Sequence, residues 1–300
     1  YDADQLRLED ELEADLGMHV AVAGDVVARR SDGEAAETAV RAAGGGGVYG
    51  VDLTLHCVLE DLQPTEAFPV PFRLLSFDLE TSIADNRILC AAAVVEDLAT
   101  GDRSVHTWRD DESELLEGMT RLVLEQDPDI ITGYNIDNFD LPRIAERVEA
   151  LGGRKDAARR LAMFGWGRTP QDASDLRRQR ESVVPKRAST RAWTLGGRCV
   201  MDAWWQARMA LRPQRETLAF VSALLFPEDA ERQKMDVDAS RMDEEWAARP
   251  DVVLEYCRRD AALPLDILHA LQIVRRKEAV AAVAKAVSYT HLTLPTTDRV

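Results

Sequence analysis

The stretch RLLSFDL, from Arg73 to Leu79, decides the fold, because leucine and phenylalanine fill a run of strand length that carries an acid near its end. Similar apolar runs and two segments with helix signals follow it along the chain. They predict strands at Arg87–Val95, Arg103–Trp108 and Asp129–Tyr134, and helices at Glu112–Glu125 and Arg143–Leu151. Three successive strands, a crossover helix and another strand predict an α/β fold with a mixed sheet flanked by helices.

The segments around this pattern predict the domain organisation. Residues 1–47 are acidic and rich in alanine and glycine and end in a linker at Gly44–Gly47, and a strand is predicted at Val48–Leu59. Residues 154–198 are predicted to form an irregular insert. A short strand near Cys199–Met201 and helices near 203–211, 215–225 and 251–275 follow.

The two ends of the chain carry separate signals. The last thirteen residues, Ser288–Val300, hold four threonines directly after an alanine- and valine-rich helix, so we interpret them as a non-native, adaptor-like tail. The chain begins at Tyr1 instead of methionine, which predicts a fragment of a longer protein.

The net charge of the chain excludes one class of function. The chain has 37 basic and 53 acidic residues, a net charge of −16. Such acidity argues against a protein that coats nucleic acid non-specifically, since phosphate contacts need a basic surface. It leaves open an enzyme that meets DNA through a local basic strip and a metal site. The insert is such a strip, with twelve basic and four acidic residues.

The cysteines and the hydropathy pattern predict the compartment. Cys57, Cys90, Cys199 and Cys257 lie far apart, which predicts neither a zinc site nor a disulfide framework. Free thiols are expected in a reducing compartment, so we predict a cytoplasmic protein. No apolar run reaches the roughly 18 residues that a membrane span needs, so no membrane association is expected.

Acidic residues at strand and helix ends predict a site. Asp78 and Glu80 lie two apart on one strand and therefore share a face, where they either bind a divalent metal or cap or pair with neighbours. Asp140 follows the strand that ends at Tyr134, and either joins this site or caps the next helix. Spacing alone does not separate Asp140 from Asp137.

Tyr256 and Asp260 lie four residues apart and share a helix face. Asp260 is alternatively a solvated acid paired with Arg258 or Arg259. Four carboxylates with one tyrosine suit two-metal phosphodiester hydrolysis, in which a neutral phenol orients the attacking water.

Three segments in order resemble the exonuclease motifs of the family B DNA polymerases, of archaeal type. They are FDLETS at Phe77–Ser82, TGYNIDNFDLP at Thr132–Pro142 and YCRRD at Tyr256–Asp260. The resemblance implies a ribonuclease H-like fold and a tyrosine-type DEDD 3′–5′ exonuclease. It implies a metal-binding quartet of Asp78, Glu80, Asp140 and Asp260, which selects Asp140 over Asp137.

The resemblance also implies roles for the other site residues and for cofactors and partners. Tyr256 orients the water, while Asn135, Phe139 and the backbone at Leu79 contact the terminal nucleotides. The cofactors are two divalent ions, Mg²⁺ or Mn²⁺. The partners are the 3′ end of single-stranded DNA or of a primer–template, the palm, fingers and thumb of the full-length polymerase, and a sliding clamp.

The polymerase palm motifs are absent from this sequence, so the fragment is expected to edit DNA but not to extend it. The implied domains are the remainder of the polymerase N-terminal domain at 1–71, the exonuclease domain at 72–275 and the start of a connection at 276–287. Two alternatives stay open: a stand-alone DEDD exonuclease on DNA or RNA, and a catalytically silent nucleic-acid-binding module.

The tryptophans and the insert allow two interpretations each. The insert either contacts the DNA backbone, with Trp166 and Trp193 as stacking surfaces, or pairs its arginines with surrounding acids. Trp204 and Trp205, beside Asp202, are expected to pack in the core rather than to form a base-stacking platform.

Overall fold

The computed structural model describes residues 70–109, 111–152, 156–168, 177–181, 190–229, 232, 235 and 237–284. The predicted linker at Gly44–Gly47, the predicted strand at Val48–Leu59 and the tail at Ser288–Val300 lie outside the described residues. The domain boundaries inferred from the sequence therefore stay predictions.

A five-stranded mixed sheet forms the centre of the described part. Its strands are β1 (Arg73–Thr81), β2 (Ile88–Asp97), β3 (Arg103–Trp108), β4 (Ile130–Gly133) and β7 (Cys199–Asp202), in the order β3-β2-β1-β4-β7. The pairs β1–β2 and β2–β3 are antiparallel, whereas β1–β4 and β4–β7 are parallel. The mixed α/β sheet predicted from the sequence is confirmed.

Helices cover the sheet. They are α1 (Glu112–Gln126), α2 (Asp140–Gly152), α3 (Ala157–Phe164), α4 (Ala203–Leu211), α5 (Leu218–Leu225), α6 (Met242–Ala248), α7 (Pro250–Ala270) and α8 (Ile273–Ala284). None of the helices in the described part of the chain is long and apolar enough to cross a membrane.

Local sequence explains where these helices begin and end. Asp111 caps α1 by accepting a hydrogen bond from the Ser113 N–H, and left-handed Asp127 ends the helix just before a proline. Pro250 opens α7, where its missing N–H costs nothing. The predicted single helix at 251–275 is wrong, because the backbone turns left-handed at Gln272 between α7 and α8.

The prediction that 154–198 is irregular is also wrong. The segment contains α3 and two antiparallel strands, β5 (Arg177–Glu181) and β6 (Thr190–Thr194). Polar residues dominate β5, so the strand lacks the apolar alternation by which a half-buried strand is recognised. Helix α6 was also not predicted, because its seven residues are too few to show a clear helical periodicity.

The two faces of β1 have different partners. Leu75, Phe77 and Leu79 point into the main apolar core with side chains of α1 and α2. The alternate residues, Asp78 and Glu80 among them, point to the opposite face, and α7 packs on β1 and β2. The strand therefore delivers both acids to the face that meets α7.

Candidate active site

A cleft of about 600 Å³ opens beside the end of β1 and contains every site residue inferred from the sequence. Its lining includes Asp78, Leu79, Glu80, Asn135, Phe139, Asp140, Tyr256 and Asp260. These residues come from β1, from the β4–α2 connection and from α7. The fold therefore gathers three segments that are up to 182 positions apart, between Asp78 and Asp260.

Helix α7 is held directly against the acidic end of β1. The thiol of Cys257 donates a hydrogen bond to the Asp78 carbonyl oxygen at 3.3 Å. Tyr256 and Asp260 flank this contact on the same helix. Cys90, Cys199 and Cys257 are buried free thiols, which confirms the expected absence of a disulfide for those three.

Asp140 reaches β1 because β4 stops early. The pairing of β1 with β4 ends at Ser76 and Thr132, and the Asp140 carboxyl group accepts a hydrogen bond from the Leu79 N–H beyond that point. Asp137 instead accepts a hydrogen bond from the Trp193 N–H at 3.2 Å and lies outside the cleft lining. The structure thus separates two acids that spacing alone did not.

Burial raises the pKa of the cleft acids. Desolvation is the main cause for Asp78, followed by the charges of Glu80, Asp140 and Asp260. Desolvation likewise raises the pKa of Glu80 well above its ordinary value. The pKa of Asp140 rises to about 8, through burial and then the charge of Asp202. Without a counter-charge, these acids disfavour their own ionisation.

Two carboxylate oxygens in the cleft suit a divalent cation. Asp78 Oδ2 and Asp140 Oδ1 are buried and have no hydrogen-bond partner. Buried acids without partners are costly, and hard cations such as Mg²⁺ prefer carboxylate oxygen. Within the described residues no three acids, histidines or cysteines converge as a preformed metal cluster. The donor chemistry therefore fits a cation, while coordination requires these side chains to move together.

Tyr256 stays protonated in this setting. Burial raises the pKa of its phenol above the usual value, and the charges of Asp260, Glu80 and Asp78 add to the shift. The phenol also shares a hydrogen bond with Asp260. A neutral phenol at neutral pH orients a water molecule without competing for a cation.

Asp202 is a site residue that the sequence reasoning missed. Its buried carboxylate accepts hydrogen bonds from the N–H groups of Asn135, Asp137 and Trp204, at 2.8, 3.2 and 2.9 Å. Asn135 needs this support because it holds a left-handed φ of 66°. An aspartate just before the α4 pattern was the available signal, as an N-cap. Asp202 fixes the loop that carries Asn135, Phe139 and Asp140.

The tryptophans of the insert are not stacking surfaces. Trp166 is fully buried, packs edge-on against Phe77 at 5.2 Å between ring centroids, and donates a hydrogen bond to Thr120. Trp193 is also buried, and its indole N–H donates to the Asp137 carbonyl oxygen. The proposed stacking role for both is therefore wrong, since neither ring is available to a base.

Two arginines of the insert pair with acids, as the alternative interpretation expected. Arg168 contacts Asp127 and Asp129, and buried Arg198 contacts Asp127 at 2.7 Å. Trp204 differs from the expectation of core packing, because it is half-buried, lines the cleft and stacks under Arg208. The prediction that Trp204 packs in the core is therefore wrong.

Comparison with known proteins shows which protein family this domain resembles. Residues 101–214 match the sequence model of the DNA polymerase family B exonuclease domain. The chain contains a family B DNA polymerase exonuclease domain. The matched range includes Asn135, Phe139, Asp140 and Asp202 but neither the β1 acids nor those of α7.

Individual relatives agree with this family. The DNA polymerase delta catalytic subunit of Caenorhabditis elegans is 33% identical over 173 residues, which is 54% of this chain and 14% of that protein. A DNA polymerase of Pyrococcus glycovorans is 24% identical over 210 residues, covering 65% of this chain and 24% of that protein. The chain thus spans a minor part of its relatives. Because they include eukaryotic and archaeal enzymes, the archaeal type stays a prediction.

Proposed function

We propose that this chain carries the 3′–5′ proofreading exonuclease of a family B DNA polymerase. The observation that supports it most directly is the shared cleft, in which one strand, one loop and one helix bring the predicted acids and Tyr256 together. The substrate is the 3′ end of a DNA strand, and the product is a nucleoside 5′-monophosphate. The remaining polymerase domains and a sliding clamp are partners of the full-length protein in this proposal, with a cytoplasmic location.

Asp78, Glu80, Asp140 and Asp260 would hold two divalent ions, Mg²⁺ or Mn²⁺. Such ions, when bound, activate water and stabilise the leaving oxygen in phosphodiester hydrolysis. The acids of this chain supply that binding because their buried charges need neutralisation. In the reaction the water oxygen forms a bond to phosphorus, the bond to the 3′-oxygen breaks, and that oxygen takes up a proton.

The other cleft residues position the strand. Phe139 is 45% exposed at the cleft, so a terminal base can stack on its ring. Asn135 and the backbone at Leu79 line the same space, next to the acids. Tyr256 donates a hydrogen bond that holds the attacking water in line. This division assigns cation binding to Asp78, Glu80, Asp140 and Asp260.

Loss of the acids tests the proposal. Asp78→Ala and Asp140→Ala should each lower magnesium-dependent shortening of a 5′-labelled single-stranded DNA by more than about 100-fold, since even groups that only orient a metal ligand contribute 10–100-fold. Asp251→Ala is the matched control, because Asp251 lies on α7 but is 86% exposed and pairs with Arg109 on the surface. Undiminished degradation by either cleft variant would remove the site assignment.

The same assay separates the alternatives. Equal degradation of RNA and DNA would favour a nuclease outside replication. A wild-type protein that binds the DNA without shortening it would favour a silent binding module. Thermal unfolding of each variant shows whether a lost activity reflects a lost fold.

A further inference from the structure

The cleft is strongly acidic for a site that takes a polyanion. Five acids line it: Asp78, Glu80, Asp140, Glu216 and Asp260. Among the described residues of the lining, Arg143 is the one basic side chain. Bound cations would offset the acids at the reacting phosphate, but a DNA strand brings further phosphates. A second source of positive charge is therefore needed in the cleft.

Arg143 has unused hydrogen-bonding capacity. It lies in the first turn of α2, three residues after Asp140, and its side chain is 16% exposed. Its Nη1 donates to Glu146 at 2.8 Å, while its buried Nε has no hydrogen-bond partner. Buried N–H groups without an acceptor are rare in folded proteins and call for an explanation.

The position of Arg143 relates it to the bound strand. Its guanidinium carbon lies 5.9 Å from the centroid of the Phe139 ring. A nucleotide stacked on the open face of that ring would bring its phosphate near the same guanidinium. Glu146 is a weak competitor for the arginine, since its side chain is 59% exposed and the pair is a surface i,i+3 contact.

We propose that Arg143 binds a phosphate of the DNA strand whose base stacks on Phe139. This inference rests on the proposed exonuclease function and adds a substrate-binding residue to it. The planar guanidinium suits phosphate because two of its N–H groups can donate to two oxygens at once. Binding would satisfy Nε and offset the acidity of the cleft at a phosphate that the cations do not reach.

The test measures DNA binding apart from hydrolysis. The probe is a fluorescein-labelled oligothymidylate with phosphorothioate linkages at its 3′ end, which slow cleavage, and its anisotropy is titrated with protein in Mg²⁺. Arg143→Gln should weaken binding at least about tenfold. The slope of log Kd against log salt should fall by about 0.7, as expected for one lost phosphate contact on a single strand.

Further variants separate phosphate binding from a structural role. Arg143→Lys should keep most of the salt slope while binding more weakly, because it retains the charge but not the fork. Glu146→Gln changes an exposed side chain and should tighten binding about twofold by removing the competing acid. Arg121→Gln, an exposed change on α1 outside the cleft, should alter nothing.

Two results would overturn the inference. One is an unchanged Kd for Arg143→Gln. The other is a weaker Kd with an unchanged salt slope and a lowered melting temperature, which would show a role in folding. Hydrolysis of the unmodified oligonucleotide by the wild-type protein is a separate readout of the proposed function, so the two ideas can fail independently.

Discussion

Replacing Asp202 tests whether one buried acid holds the loop of the cleft in place. Asp202→Ala removes the acceptor of three backbone N–H groups, those of Asn135 and Trp204 on Oδ1 and that of Asp137 on Oδ2. Each buried N–H left unpaired costs about 1–3 kcal/mol. Loss of the Asp202 carboxylate also removes its electrostatic repulsion of Asp137 and Asp140, which raises the pKa values of both acids.

The lost hydrogen bonds outweigh that relief, because three donors are stranded at once. We expect the free energy of unfolding to fall by about 2–4 kcal/mol in Asp202→Ala. Asp202→Asn can keep both bonds to Oδ1 but turns an N–H toward the Asp137 N–H, so it should lose roughly half as much. Urea denaturation at neutral pH measures the free energy of unfolding of both variants. The rate of DNA shortening shows whether the loop that carries Asp140 is still in place.

A matched cap serves as the control. Asp156 caps α3 through the Arg159 N–H at 3.0 Å but is exposed, so Asp156→Ala should cost about 1 kcal/mol and leave the exonuclease rate unchanged. The reasoning is refuted if Asp202→Ala matches this control in both stability and rate. It also fails if Asp202→Ala loses stability while the exonuclease rate is unaffected.

Two further predictions concern the backbone and the charge of the cleft. Gly133→Ala should lower the DNA-shortening rate at least about tenfold, because the new Cβ would lie 2.6 Å from the Phe77 carbonyl oxygen and displace the loop after β4; a wild-type rate would contradict this. The raised pKa of Asp140, about 8, means that the folded chain binds more protons than the unfolded chain between the ordinary aspartate pKa and about pH 8. The metal-free protein should therefore lose stability as the pH rises from about 5.5 to 8. Mg²⁺ should raise the melting temperature more at the higher pH, and an equal gain at both would argue against a cation on these acids.

Part of the site was readable from local pattern. The DLE triplet at the end of an apolar strand and the tyrosine–aspartate pair on one helix face were visible from periodicity. The resemblance to the family B exonuclease motifs selected Asp140 over Asp137, and the structure supplies the physical reason for that choice. That reason is the hydrogen bond from the Leu79 N–H, which depends on where β4 stops.

Other features could not be read locally because they depend on long-range contacts. Trp166 and Trp193 lie in a basic segment that resembles a nucleic-acid contact, yet both rings fill gaps in the folded protein. Arg143 follows Pro142 in the first turn of α2, where the sequence alone shows nothing unusual, and only the folded cleft shows its unpaired Nε. Locally Asp202 is only an aspartate before a helix, because two of its three donors, the N–H groups of Asn135 and Asp137, lie in the β4–α2 loop.

The sequence by itself determined the strands of the sheet and the pairs Asp78–Glu80 and Tyr256–Asp260, because these depend on side-chain periodicity within a few residues, while Asp140 was selected by the resemblance of its motif. Only the tertiary structure decided which polar residues share the cleft, which arginines are already paired and which aromatic rings are buried. Those properties depend on burial and on contacts between distant segments, from 41 positions apart for Arg168 and Asp127 to 179 for Asp78 and Cys257, and no local pattern specifies them.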